Sequence, residues 1–336
     1  MNLYSTLLAV GQIGEVTAKN LNWIGKLLVK LFTSVGSVGI AVVLFTLIVK
    51  VIVLPLDIFS RVSTKKNEFT MKRMKPQLDK LKKQYANNPK LYQAKLSAIY
   101  KKEGYSMLGM CLPTLVSLIF FWVVFAAFRA YSSYAVAVDF NKSVQAYNQV
   151  VVEQQESELS DEEIKDLAAT AAAAAYKENM SGFIWVKNIW VADTSFKKSV
   201  PTKSEFESLT GTKIDETDYN NLTAKMNKKQ VNGYFILPIL CMALSFLSQW
   251  LMQKLQKTQN EVQAMDGQAA TMKMMNIIMP IMFGVFSLSY SSAFTVYMIV
   301  SSLYSTLSTL LLNLIITKVL TKKYGNVQAE KTVVNR

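Results

Sequence analysis

The stretch VGSVGIAVVLFTLIVKVIVLPLDIF, residues 35–59, decides the fold, because an apolar run of this length suits a helix that crosses a lipid bilayer. A bilayer core of about 30 Å needs around 20 apolar residues in a helix. Within this run, Lys50 is the only charged residue before Asp57. The stretch therefore predicts a membrane-spanning helix that carries one cation.

Four more apolar stretches meet or approach the same length, so the sequence predicts an all-α integral membrane protein with five transmembrane helices. The fourth span is short and reaches the fifth through Ser291 and Ser292, which predicts a tight transmembrane hairpin. The predicted spans are residues 35–59, 107–130, 233–253, 274–290 and 293–317. The remaining segments are residues 1–34, 60–106, 131–232, 254–273 and 318–336.

The composition argues against an enzyme. Of 336 residues, 51% are hydrophobic and 18% are charged, whereas soluble domains carry about a quarter charged residues. The absence of His excludes a histidine general base and a His-ligated zinc site. Cys111 and Cys241 both lie in apolar runs, and no phosphate-binding glycine motif is present. We expect no catalytic residue, cofactor or metal.

The charges of the connecting segments predict the orientation. Residues 58–106 hold thirteen Lys and Arg against three acidic residues, and the tail after Thr317 carries a net charge of +4. Residues 131–232 carry a net charge of −4. Because basic connections stay in the cytoplasm, we expect an external amino terminus, an external 131–232 segment and a cytoplasmic carboxyl terminus. The net charge of +14 is then a topology signal rather than a sign of DNA binding.

Segment 1–34 is predicted to include an amphipathic helix that lies in the outer membrane interface. Its apolar residues recur at helical spacing and are Leu21, Ile24, Leu28, Leu31 and Phe32. The weaker apolar run at 3–13 could be part of a signal sequence, but it has no convincing cleavage site. Whether this run is cleaved is left open.

Segment 60–106 is predicted to form a cytoplasmic antiparallel helical hairpin. Asn87, Asn88 and Pro89 make the turn between its arms, and Pro76 interrupts the first arm. The apolar seam steps by three and four residues through Met71, Met74, Leu78, Leu81 and Tyr85, then Tyr92, Leu96 and Ile99. The alternative is a solvated basic loop.

The 131–232 segment is predicted to contain a helical insertion. Ser160 and Glu163 have the spacing of a capping box ahead of an alanine-rich run, which predicts a helix to about Glu178. The chain from Thr194 to Gln230 is polar and is expected to be irregular.

Lys50 is the most informative single residue. A Lys near the middle of a span costs roughly 2.5–3.5 kcal/mol on insertion scales. One reading places it in a water-containing cavity that opens to the cytoplasm and attracts anionic groups, with Thr46 on the same face. The other reading is that its long side chain reaches the inner surface.

A polar stripe on the fifth span supports the first reading. Ser302, Thr306, Thr309 and Asn313 step by four, three and four residues and share one face. Such a stripe either packs small residues against a neighbouring helix or lines a wet groove. On the third span, Gln249 and Ser245 share a face and could join the same groove.

The ordered motifs resemble the YidC/Oxa/Alb membrane-protein insertase family, its bacterial members in particular. The resemblance covers about residues 20–130 and 180–320. The motifs are LFTLIVK (44–50) with LPL (54–56), MKRMKP (71–76), LGMCLP (108–113), FIW (183–185), YFILP (234–238), MPIM (279–282) and VYMIVS (296–301). Lys50 stands where the family usually has Arg, which keeps the charge and loses the bidentate fork. The second aromatic residue often present after Tyr297 is Met298, and the 131–232 segment is longer than usual.

The resemblance implies an insertase and chaperone of the bacterial cytoplasmic membrane that works without nucleotide hydrolysis. Its partners would be nascent membrane-protein substrates and membrane lipids, with the ribosome and the Sec translocon as further candidates. The expected substrate groove contains Lys50, Thr46, Gln249, Tyr297, Ser302 and Thr306. The alternatives are a small-solute or ion transporter, which predicts an intramembrane acid paired with Lys50, and a structural scaffold.

Overall fold

The computed structural model describes residues 23–105, 108–210, 213–255 and 269–334. The predictions for residues 3–13, for Leu21 and for most of the 254–273 connection lie outside these ranges. Within them the chain is mainly helical, and the only strand-like pairing consists of two isolated bridges, Phe183 with Val186 and Lys198 with Val231.

The described residues form ten helices, numbered here in chain order. They are α1 Trp23–Ser34, α2 Val38–Gln84, α3 Pro89–Lys102, α4 Leu108–Glu153, α5 Asp161–Asn179, α6 Lys203–Thr210, α7 Glu216–Leu222, α8 Ile236–Leu255, α9 Ala269–Ser289 and α10 Ser292–Val334.

The helices confirm an all-α integral membrane protein. Among the described residues, α2, α4, α8 and α10 are long and apolar enough to cross a bilayer. The apolar part of α9, Ile277–Ser289, is shorter. The change from α9 to α10 takes place between Ser289 and Ser292, where the sequence predicts the tight turn.

Three helices continue well past the predicted ends of their spans. α2 runs without a break into the first arm of the hairpin and contains both Pro55 and Pro76. α4 continues to Glu153, because no Gly or Pro occurs between Pro113 and Gly182 to end it. α10 likewise continues into the basic tail.

The chain divides into two compact units, and five helices (α2, α4, α8, α9 and α10) contribute residues to both. Unit one comprises residues 1–46, 122–242 and 283–299, and unit two comprises residues 47–121, 243–282 and 300–336.

The helical hairpin of unit two has the predicted apolar seam. The second arm begins with Asn88, whose side-chain oxygen accepts a hydrogen bond from the Leu91 amide at 3.1 Å, and Pro89 occupies the first turn. Arg73 and Glu103 form an ion pair at 2.6 Å. The buried seam consists of Met71, Met74, Leu78, Leu81, Leu96, Tyr100 and Tyr105, with Tyr85, Tyr92 and Ile99 partly buried against it.

Unit one contains the predicted helical insertion. Ser160 and Glu163 form both hydrogen bonds of the capping box at the start of α5. Tyr176, near the end of α5, is buried and donates its hydroxyl hydrogen to the Ser199 carbonyl at 3.0 Å. The expectation of an irregular chain from Thr194 to Gln230 is wrong, because α6 and α7 form there.

The helix α1 at the start of unit one is amphipathic, as predicted. Ile24, Leu28 and Phe32 are buried, and Lys26 and Lys30 are exposed. The Phe32 ring packs edge-on against Tyr131, with 4.8 Å between ring centroids.

We expect Glu205→Gln to reduce the stability of the protein in a pH-dependent way. Burial favours protonation of Glu205, but the Lys197 ammonium and the backbone amide and hydroxyl of Thr202 outweigh it and lower the pKa below 4.5. Because the folded state binds this proton less tightly than the unfolded state, the stabilisation is present above the unfolded pKa and is lost as the pH falls through the folded pKa. Since the pair is partly exposed, the expected loss at pH 7 is about 0.5–1 kcal/mol.

Thermal unfolding at neutral and at acidic pH measures this effect. Glu205→Gln should lower the Tm at neutral pH, and the difference from wild type should shrink below about pH 4. Glu158→Gln, which changes an exposed Glu in the turn before α5, is the control and should change the Tm at neither pH. A difference for Glu205→Gln that does not depend on pH would contradict the ion-pair explanation.

Candidate functional site: an intramembrane cation and its polar neighbours

Lys50 lies in the apolar part of α2 and is half-buried. Its ammonium nitrogen donates a hydrogen bond to the Ser305 hydroxyl of α10 at 3.3 Å. Both residues belong to unit two. The cation therefore has a polar partner on another membrane-spanning helix.

An acidic group lies two helical turns further along α2. Asp57 accepts a hydrogen bond from the Ser308 hydroxyl at 3.2 Å, and Arg61 Nε lies 3.2 Å from the same carboxylate oxygen. Residues 50, 57 and 61 share one face of the helix, because seven and four residues are close to two turns and one turn. Two cations and one anion thus line this face.

We call these five residues the polar strip: Lys50, Asp57, Arg61, Ser305 and Ser308. It combines α2 residues with two serines that are three positions apart on α10. The strip has one more positive than negative charge, so a further anion can be accommodated. An ammonium group with serine hydroxyls beside it can hydrogen-bond to water or to a carboxylate. Without such partners, these polar groups would be unsatisfied in hydrocarbon.

Other predicted residues lie in the same unit. The Thr306 hydroxyl contacts the Ser248 hydroxyl of α8 at 2.5 Å and donates to the Ser302 carbonyl at 2.8 Å. Gln249, the residue after Ser248, is half-buried. Ser245, one turn earlier on α8, is buried, and its hydroxyl oxygen has no hydrogen-bond partner among the described residues. A second polar link thus joins α8 and α10 within unit two.

Thr46 and Tyr297 belong to unit one instead. Thr46 is fully buried, and its hydroxyl donates to the Val42 carbonyl one turn earlier at 2.7 Å. Tyr297 is buried among aromatic rings, with centroid distances of 5.6 Å to Phe128 and 5.8 Å to Phe294. Within unit two the structure brings Lys50 together with the Ser305 hydroxyl of α10, and within unit one it buries Thr46 and Tyr297.

Sequence reasoning missed the actual partners of Lys50 and Asp57. Ser305 and Ser308 lie beside the predicted stripe of Ser302, Thr306 and Thr309 rather than on it. The signal was present in the sequence, because Ser305 and Ser308 are three residues apart and so lie on neighbouring turns of one helix. The sequence does not show how α10 is rotated about its axis, and this rotation decides which of its residues contact α2.

Comparisons with known proteins show which proteins this chain resembles. The model of the 60Kd inner membrane protein family matches residues 30–319. A relative from Chloroherpeton thalassium, named membrane protein insertase YidC, is 38% identical over 96 residues, which are 29% of this chain and 16% of that protein.

Two further relatives carry the same name. The protein from Caldanaerobacter subterraneus subsp. tengcongensis is 30% identical over 115 residues, which cover 34% of this chain and 54% of that protein. The protein from Fusobacterium nucleatum subsp. nucleatum is 34% identical over 96 residues, which cover 29% and 45%. The matched part thus spans between a sixth and about half of the length of these relatives.

Proposed function

Since this chain belongs to the 60Kd inner membrane protein family, we propose that it inserts and folds membrane proteins without nucleotide hydrolysis. The observation that carries the proposal is the Lys50 ammonium group in an apolar span, hydrogen-bonded to Ser305. The relatives named as insertases support the same activity.

The proposed mechanism assigns the polar strip to the hydrophilic part of a substrate. An acidic tail rests against Lys50, where charge attraction and the serine hydroxyls replace part of its hydration. The apolar span of the substrate meanwhile moves into lipid. Its transfer drives insertion at about 25 cal/mol per Å² of apolar surface, and the strip lowers the barrier for the polar part.

The substrate groove includes other polar groups of unit two. Ser302, Thr306 and Gln249 are proposed to extend the polar surface, with the Ser248–Thr306 contact holding α8 and α10 in place. For Thr46 and Tyr297 a role in the groove stays a prediction, because the contacts described here tie both to unit one.

The proposed location is the bacterial inner membrane, with the hairpin and the carboxyl terminus in the cytoplasm. The basic character of segment 58–106 supports this orientation. The contacts of α2 and α10 indicate that these two helices run in the same direction, because Lys50 and then Asp57 meet Ser305 and then Ser308, and the basic segment alone assigns the cytoplasmic side. Two helices that enter from the same side are expected to pair in this way. The hairpin would receive substrate from the ribosome or the Sec translocon.

Insertion by the purified chain in proteoliposomes tests the proposed function. A single-span substrate with an acidic tail should become protected from added protease when the chain is present and remain digestible in protein-free vesicles. Expression of the chain should also restore growth to a strain depleted of its own insertase. Solute flux without any insertion would contradict the proposal and favour a transporter.

A further inference from the structure

A closed two-residue turn in unit one presents an apolar side chain to its surroundings. The amides of Phe183 and Val186 each donate to the carbonyl of the other at 2.9 Å, so Ile184 and Trp185 form the tip. Ile184 has a φ of 56° and is 74% exposed. A left-handed conformation is unfavourable for a β-branched residue, and this turn position normally holds Gly. Folding alone therefore gives no reason for Ile at this position.

A second left-handed residue precedes helix α8. Phe235 has a φ of 65°, and its ring packs edge-on against Phe196 at 5.1 Å between centroids. Phe196 is itself 83% exposed. Phe235 is half-buried, so its left-handed backbone lies beside the exposed Phe196 ring, and backbone strain of this kind clusters at functional sites.

Asp193 connects the two chain segments that contain the strained residues Ile184 and Phe235. Its carboxylate accepts hydrogen bonds from the Trp185 indole at 3.0 Å and from the amides of Tyr234 and Leu237 at 2.7 Å. The turn that carries Ile184 is thereby fastened to the residues that flank Phe235. The three side chains of Ile184, Phe196 and Phe235 form what we call the apolar tip.

The position of the apolar tip along the chain identifies what it meets. Phe235 directly precedes α8, which begins at Ile236 and is apolar enough to span a membrane. The tip therefore lies at the depth where this span passes from hydrocarbon to headgroups. Lys187 next to the turn is exposed, and Lys198 is half-buried, which suits contact with lipid phosphates. Because the apolar tip directly adjoins a membrane span, lipid is the contact that we expect for it.

From this geometry we propose that the apolar tip inserts into the headgroup and acyl boundary of the leaflet at which α8 begins. Ile184 and Phe196 enter the lipid, Phe235 connects them to the span, and the strained backbone keeps them directed there. The contact thereby holds the loop of residues 183–196 at the bilayer surface beside the start of α8. This inference does not depend on insertase activity.

The proposal is tested by the rates at which a nitroxide spin label collides with oxygen and with a water-soluble nickel chelate. The full chain carries Phe196→Cys or, as an aqueous reference, Glu162→Cys on the exposed start of α5, each with Cys111→Ser and Cys241→Ser. Both are placed in vesicles of phosphatidylethanolamine and phosphatidylglycerol. We expect the oxygen-to-chelate collision ratio to be several times higher at position 196, because a side chain about 5–10 Å inside the headgroup and acyl boundary meets apolar oxygen but not the water-soluble chelate.

Two results would overturn the proposal. Equal ratios at the two positions would place the tip in water. Low collision with both reagents at position 196 would mean that protein, such as a second copy of this chain, covers it. If the cysteine variants fail to fold, the wild-type chain can be crosslinked to a phospholipid that carries a diazirine near its headgroup. Adducts are then expected on residues 183–196, and adducts on α8 alone would reject the idea.

Discussion

Replacing Lys50 by glutamate is expected to slow the insertion of a substrate with an acidic tail by at least about tenfold. At 4 Å, two unit charges interact by about 1–4 kcal/mol for effective dielectric constants between those of water and of a protein surface. Lys50→Glu turns this attraction into repulsion and adds a second acid to the face that carries Asp57. Each 1.4 kcal/mol in the barrier changes the rate about tenfold. Protease protection of the substrate in proteoliposomes measures the rate.

Three comparisons make this result specific to the intramembrane charge. Lys50→Arg keeps the cation and should retain most of the activity. Lys165→Glu makes the same charge change at an exposed position of α5 and should leave insertion unchanged. A substrate with a neutral tail should be less sensitive to Lys50→Glu than the acidic one. If Lys50→Glu inserts the acidic substrate as fast as wild type, the charge mechanism is wrong.

Removing the Asp193 carboxylate is expected to cause the largest loss of stability. Asp193 is fully buried, and Asp193→Ala leaves the Trp185 indole and the amides of Tyr234 and Leu237 without their acceptor. Leaving a buried donor unsatisfied costs about 1–3 kcal/mol, so the total should be about 3–5 kcal/mol. The Tm in detergent, followed by tryptophan fluorescence, should fall by about 10 °C.

Two further variants show whether this effect arises from the hydrogen-bonded arrangement. Asp166→Ala removes a mostly exposed carboxylate that pairs with Lys225 at 2.6 Å, and it should cost less than about 1 kcal/mol. Gly233→Ala would place a methyl group 1.8 Å from Asp193 Oδ1, so it should destabilise the protein as Asp193→Ala does. A Tm for Asp193→Ala within the range of Asp166→Ala would contradict this account of the bonding.

The local periodicity of the sequence was enough to predict several elements. The hairpin seam from Met71 to Ile99 repeats every three or four residues, and the Ser160–Glu163 box marks the start of α5. Both depend on neighbours within one or two turns. The ends of α2, α4 and α10 were harder to predict, because a helix that leaves the bilayer can keep its backbone hydrogen bonds in water, and α2 and α10 continue even through Pro76 and Gly325.

The contacts of the polar strip could be predicted only in part. A Lys in an apolar run is costly, which singled out Lys50 without any knowledge of the fold. Its partner Ser305 is 255 positions away, and whether Ser305 or its neighbour Thr306 faces Lys50 depends on a rotation of about 100° per residue that helix packing sets. The bonds of Asp193 to residues 185, 234 and 237 are likewise set by tertiary contacts.

The uninterrupted helix α2 connects Lys50 directly to the helical hairpin. Its 47 residues make a rod about 70 Å long at 1.5 Å per residue, with Lys50 near one end and the hairpin seam at the other. Pro55 has no amide hydrogen and leaves the carbonyl of Val51 without its usual donor, so the helix is weakened just beyond Lys50, and Pro76 weakens it a second time in the first arm of the hairpin. A bend at Pro55 would therefore couple a movement of the hairpin to the surroundings of the Lys50 ammonium group.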